Sequence, residues 1–172
     1  MRIPANDKGT EMMEKLKNYL FSKDFTKISF HDNVVYGFSV QQKEFGEDLI
    51  FDIDYTSEWL CNEDRTCCFN IVPADLIFYD LVDLEINLSW GKSIKQPDPK
   101  YAVTHSLSGE IILNGINIEN FEDPLYKGYK KYVFDFILPK NGILKLGAKS
   151  VSLIGRKPPV SSREQSLDWS QR

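Results

Sequence analysis

A stretch of alternating apolar and acidic residues, Asp48 to Trp90, constrains the fold of this chain more than any other feature. It opens with Asp48-Leu-Ile-Phe-Asp-Ile-Asp-Tyr-Thr-Ser-Glu-Trp59, resumes at Ala74-Asp-Leu-Ile-Phe-Tyr-Asp80 and closes with Asp83-Leu-Glu-Ile-Asn-Leu-Ser-Trp90. Alternation at period two sorts side chains onto the two faces of a strand, whereas a helix would scatter them. In the first segment Leu49, Phe51, Ile53, Tyr55 and Trp59 share one face, and Ile50, Asp52, Asp54, Thr56 and Glu58 share the other. Burying each large side chain contributes about 1.5–3 kcal/mol before entropy is subtracted, so the odd-numbered face is expected to line the core. In the last segment Leu84, Ile86, Leu88 and Trp90 are expected inside, with Asp83 and Glu85 outside.

Almost everything after Thr26 reads as strand and turn. Val34 to Val40 is a strand whose parity changes, since Tyr36, Phe38 and Val40 cannot share a face with Val35. Pro73 fits the start of a strand better than its middle. Asn114-Gly115 is a two-residue hairpin signal, and a bulge inside one long strand is the competing reading because apolar parity switches there. Before this region, Met12, Met13, Leu16, Tyr19 and Leu20 recur at helical spacing behind a Thr10 N-cap, which predicts one helix over 10–22. The expectation is a mainly β chain: a curved antiparallel sheet or partly open β-barrel of about nine or ten strands with one N-terminal helix. The alternation of strands with long helices that marks a parallel α/β sheet is missing.

Residues 1–155 read as a single β-rich domain and 156–172 as an extended tail. Pro158-Pro159 favours an extended path there. Leu167 and Trp169 argue that the tail docks, on this chain or on a neighbouring one, because disordered tails are poor in such residues.

Charge narrows the function. The formal net charge is −4, and between Glu44 and Glu85 stand twelve acids against one base, Arg65. No basic stripe of the kind nucleic acid demands is present. No apolar run is long enough for a spanning helix, and the N-terminus lacks a secretory pattern, so a cytoplasmic location without membrane attachment is expected. Cys61, Cys67 and Cys68 cannot all pair within one chain and lack zinc-site spacing, so they are expected to be reduced structural residues.

Asp52, Asp54, Glu58, Asp83 and Glu85 are the candidate site. Carried on the outer faces of adjacent strands, they would repel one another and attract a cation or a basic partner. Flat strand faces seldom converge the six or more oxygens of a calcium site, so no metal and no cofactor is assigned. His31 and His105 are not tied to a nucleophile, and no catalytic or phosphate-binding motif occurs, so no catalytic residue is assigned. The pair Asp48–Leu60, carrying Ile53-Asp-Tyr-x-x-x-Trp59, and Val72–Leu88, carrying Pro73-Ala-x-Leu-x-Phe78, resembles a family of small uncharacterised bacterial β-rich proteins. That family implies no activity or site residues. The leading expectation is a non-enzymatic bacterial binding protein whose acidic face meets a basic protein partner, with an immunity-like role as an analogy. The alternatives are a small-molecule or lipid carrier with a barrel cavity and a divalent-metal-assisted hydrolase.

Overall fold

The computed structural model describes residues 24–62, 67–88 and 111–172. Among the described residues nine strands form one antiparallel sheet: β1 (Asn33–Gln42), β2 (Glu47–Cys61), β3 (Cys67–Tyr79), β4 (Val82–Asn87), β5 (Ile111–Asn120), β6 (Lys130–Leu138), β7 (Ile143–Ala148), β8 (Ser150–Gly155) and β9 (Val160–Ser162). Their order is β4-β7-β6-β5-β1-β2-β3-β8, with β9 added to β3. The terminal strands β4 and β8 do not pair with each other, so the sheet is open and not a closed barrel. Among the described residues the helical segments are two 3-10 turns, Phe25–Lys27 and Pro124–Tyr126. The helix expected over 10–22 lies outside the described residues, as do Trp90, His105 and the irregular segment 91–108.

The sheet curls because two of its arms bend together. Asp80 and Leu81 separate β3 from β4, and Lys149 separates β7 from β8. Beyond each bend pairing continues, Tyr79 opposite Ser150 on one side and Val82 opposite Gly147 on the other. Asp80 takes a positive φ of 54°, a conformation that aspartate tolerates better than bulkier residues, and the Lys149 amide donates to the Tyr79 carbonyl across 2.9 Å. The curl brings β6 over β2 and β3. Phe134 lies 5.2 Å from Phe51, and Tyr132 lies 4.9 Å from Phe78, between ring centroids. Leu49, Ile53, Leu76, Leu113, Leu144 and Leu146 complete the buried interior.

Parity failed as a guide wherever a bulge intervenes, since one extra residue moves every later side chain to the opposite face. Leu49, Phe51, Ile53 and Tyr55 are buried in the core as expected. The β2–β3 register slips between Thr56 and Glu58, so Trp59 turns outward, 47% exposed, with its ring edge-on to Phe69 at 5.0 Å. A slip between Val35 and Gly37 likewise lets Val35 and Phe38 both pack on the core. Around Asn114-Gly115 the bulge is realised, and β5 runs through both residues unbroken.

Two other expectations are corrected. Leu84 and Ile86 are exposed, because β4 slips register at Asp83, where φ is +49°, and hangs at the sheet edge beside β7. Pro73 stands in the middle of β3, opposite Asp54. Its carbonyl accepts from the Arg156 amide at 2.8 Å, and its missing N–H would point to that same side. There the neighbouring strand changes from β8 to β9 and no ladder bond is lost.

The cysteines also differ from expectation. Cys61 and Cys67 face each other directly in the β2–β3 ladder, with Cα atoms 4.0 Å apart, and form a disulfide, while Cys68 keeps a free thiol. Their six-residue separation concealed this, because pairing in a hairpin depends on register and not on spacing.

Gly147 marks the tightest point of the curl. A Cβ there would sit 2.5 Å from Val82 Cγ2 and 2.6 Å from Phe121 Cζ. Gly147→Ala is expected to lower stability by about 1–3 kcal/mol through overpacking. Urea denaturation reads this, and an unchanged midpoint would mean that β4 and Phe121 move aside freely.

Candidate functional site

On the outer face of the sheet, Asp52 and Asp54 of β2 lie between Tyr36 of β1 and Asp75 of β3. Asp52 is the direct cross-strand partner of Asp75. Two carboxylates so placed repel, and a cation must lie between or above them. The tail supplies it. Arg156, following β8, donates from one nitrogen to Asp75 at 2.9 Å and from the other to Asp52 at 2.5 Å.

Arg172 shares Asp52 with Arg156 and reaches Asp54 as its second partner. Its Nη2 donates to Asp52 Oδ1 at 2.6 Å and its Nε to Asp54 Oδ1 at 3.1 Å. The guanidinium carbon lies 3.4 Å from the centroid of the Tyr36 ring, with the Trp169 ring at 5.5 Å. The Arg172 side chain retains 4% of its exposure and that of Asp54 none. A buried carboxylate needs several donors, and Asp54 has three: Arg172, the Tyr36 hydroxyl at 2.8 Å and the Leu167 amide at 2.8 Å.

Between these anchors the chain turns back on itself. β9 pairs with β3 over Phe69–Ile71, and Leu167 is buried against Phe69 and Ile71 in a small second cluster outside the sheet. Lys157 Nζ donates to the main-chain oxygens of Gln171 and Arg172, tying the two ends of the tail together. The tail thus continues the edge of the sheet through β9 and then folds onto the outer face of this same chain at Leu167 and Arg172.

Electrostatics follow the geometry. Burial alone would raise the Asp52 pKa, but hydrogen bonds from Arg172 and Arg156 outweigh it and hold the carboxyl below its ordinary value. Burial would lower the Arg172 pKa, and its bonds to Asp52 and Asp54 raise it instead. Burial and the neighbouring Asp54 push the Tyr36 hydroxyl well above its usual range.

The sign for Asp52 is that of a depressed carboxylate. It favours the docked tail fully above its ordinary pKa of 3.8, and the contribution fades as pH falls through its lower value in the folded chain. The Leu167 amide resonance is therefore expected to hold its position from neutral pH down to about 4 and to move toward a free-chain shift below it. Movement between pH 7 and 5 would contradict this assignment.

The five candidate carboxylates do not form one site. Asp52 and Asp54 come together. Glu58, past the bulge, is exposed and accepts from Asn70 Nδ2 at 3.0 Å. Asp83 and Glu85 belong to β4 at the far edge, where Asp83 accepts from the Tyr126 hydroxyl and Glu85 lies 3.5 Å from Lys145. They line a surface cleft of about 450 Å³ with Glu119, Glu122 and Lys131. Among the described residues no three His, Cys, Asp or Glu side chains are placed to share a metal ion. Sequence reasoning missed Tyr36, Asp75, Arg156 and Arg172. The signal available was the four bases in a short tail, Arg156, Lys157, Arg163 and Arg172, following a body rich in acids.

Family models, curated proteins and solved structures all return no counterpart to this chain. No family model carries the resemblance of Ile53–Trp59 and Pro73–Phe78 to a bacterial family.

Proposed function

We propose that this chain is a non-enzymatic bacterial binding module that engages a basic protein partner through the acidic outer face of β2 and its neighbours. The observation that carries the reading is the cradle for Arg172: two carboxylates converge on one guanidinium while an aromatic face stacks against it. Planar stacking combined with carboxylate bonding favours arginine over lysine, and a face built this way discriminates among basic ligands. Glu58 extends the negative charge along β2, and Asp83 and Glu85 give the far edge a second acidic rim. An immunity-like role, blocking a basic target, fits such a surface.

The carrier reading is weakened by the interior, which is filled with Phe51, Phe78, Tyr132 and Phe134 in ring contact. The hydrolase reading is weakened because the oxygens of Asp52 and Asp54 already accept from Arg156, Arg172, Tyr36 and the Leu167 amide. No described helix is long and apolar enough to cross a membrane. A cytoplasmic location is part of the proposal and carries a condition. In a reducing compartment Cys61 and Cys67 would be held as thiols, which alkylation and mass spectrometry read directly.

The test is capture of a basic protein by the immobilised full chain across a salt series. Capture that falls steeply with salt, and that Asp52→Lys with Glu58→Lys abolishes, is the expected result. Capture indifferent to both salt and charge reversal would end the proposal.

A further inference from the structure

We infer that the segment Arg163–Arg172 is a built-in competitor, a strap that occupies the arginine cradle and must lift before a partner's arginine can enter. The inference rests on the binding role proposed above and specifies its ligand and its control. The cradle is complete without the strap's own framework: Tyr36 belongs to β1, and Asp52 and Asp54 belong to β2. The strap contributes what a ligand contributes. At Leu167 its amide donates to Asp54 and its carbonyl lies 3.4 Å from the Tyr36 hydroxyl, and at Arg172 it fills the pocket.

The strap is held by polar contacts more than by apolar burial. Leu167 is its buried apolar anchor, whereas Trp169 is 78% exposed, and Arg163, Glu164, Gln165, Asp168 and Ser170 face solvent. Segments with few buried apolar contacts open well below the free energy of global unfolding. β9 and the prolines before it keep the base of the tail in place, so lifting involves only the last ten residues or so. The site tolerates the departure. Arg156 continues to pair with Asp52 and Asp75, and Tyr36 continues to donate to Asp54.

The ligand follows from what the strap presents. It is a turn-forming segment of a basic protein with a leucine and, five residues on, an arginine. A partner meets a protein whose competent form is only partly populated, so its apparent affinity is reduced by that fraction.

The probe is a fluorescein-labelled peptide, Ser-Leu-Asp-Trp-Ser-Gln-Arg, titrated into the full chain and into the Leu167→Ala/Arg172→Gln variant. The variant, whose strap is loosened, is expected to bind about 5–150-fold more tightly than the wild type, the usual range of such coupling. Adding Asp54→Ala should abolish binding, and a peptide ending in Lys should bind more weakly than the Arg form. Excess unlabelled peptide should also speed tryptic cleavage after Arg163 in the wild type, which needs no variant to fold. Equal affinity for wild type and loosened chain, with no change in cleavage, would overturn the strap. So would the absence of peptide binding in both. Salt-dependent capture of a basic protein that the peptide leaves untouched would overturn the strap while leaving the basic-partner reading standing.

Discussion

Phe78→Ala is expected to lower the unfolding free energy by about 3–5 kcal/mol, the usual range for removing a buried aromatic ring from a packed core. Phe78 has no solvent exposure, and its ring contacts Phe51, Tyr132 and Phe134, at centroid distances of 5.9, 4.9 and 5.7 Å. Those three rings come from β2 and β6, which are not neighbours in the sheet, so the residue bridges the two sides of the curl. Little can collapse into the space left behind, because the facing rings sit on strands held in place by their own ladders, β2 by β1 and β3, and β6 by β5 and β7. At about 2–4 °C per kcal/mol for a chain of this size, the melting temperature should fall by roughly 6–20 °C. Phe45→Ala provides the contrast. Phe45 is 83% exposed, and its loss should change stability by no more than about 0.5 kcal/mol. Calorimetry that found the two variants alike would refute the account of the core.

Asp54→Ala should produce the second large effect, by a different route. Removing one member of a buried ion pair costs about 3–5 kcal/mol when the remaining charge stays buried. Here three donors lose their acceptor at once: Arg172 Nε, the Tyr36 hydroxyl and the Leu167 amide. Arg172 can return to water by peeling away with the tail, which caps the loss near the lower bound, about 3 kcal/mol. The same peeling predicts faster tryptic cleavage after Arg163. Asp75→Ala removes a carboxylate that is 31% exposed and bonded to Arg156, and exposed pairs of this kind contribute about 0–1 kcal/mol. A cleavage rate equally raised by both substitutions would show that burial does not distinguish the two carboxylates.

Much of the sheet was legible because alternation is a local signal. Leu49 to Tyr55 could be assigned to the core from their own neighbours, and antiparallel β architecture followed from many such segments in succession. What was not legible depended on register. The bulge that turns Trp59 outward, the slip that exposes Leu84 and Ile86, and the pairing of Cys61 with Cys67 are decided by the strand across the ladder. The same holds for Pro73, which is tolerated in mid-strand only because β8 gives way to β9 beside it. The acidic site was half legible. Asp52 and Asp54 could be singled out by charge, but Asp83 and Glu85 lie on a strand that the bend at Asp80 carries to the opposite edge. The cation that answers Asp54 lies 118 residues along the chain, a distance at which no sequence pattern speaks.

The bent ladder has a consequence for how the protein is made. β3 is a largely apolar strand from Ile71 to Phe78, and among the described residues one of its edges is covered by β8 and β9, with Ala74 meeting Gly155 and Phe69 meeting Ser162. During synthesis on the ribosome, β2 can pair with β3 early, but that other edge waits until the final strands emerge. For that interval the nascent chain carries an open, sticky strand edge, the kind of template on which neighbouring chains aggregate. β8 and β9 therefore act as a closing seam, and a polypeptide cut short after Lys149 should accumulate in inclusion bodies rather than as a slightly weakened fold.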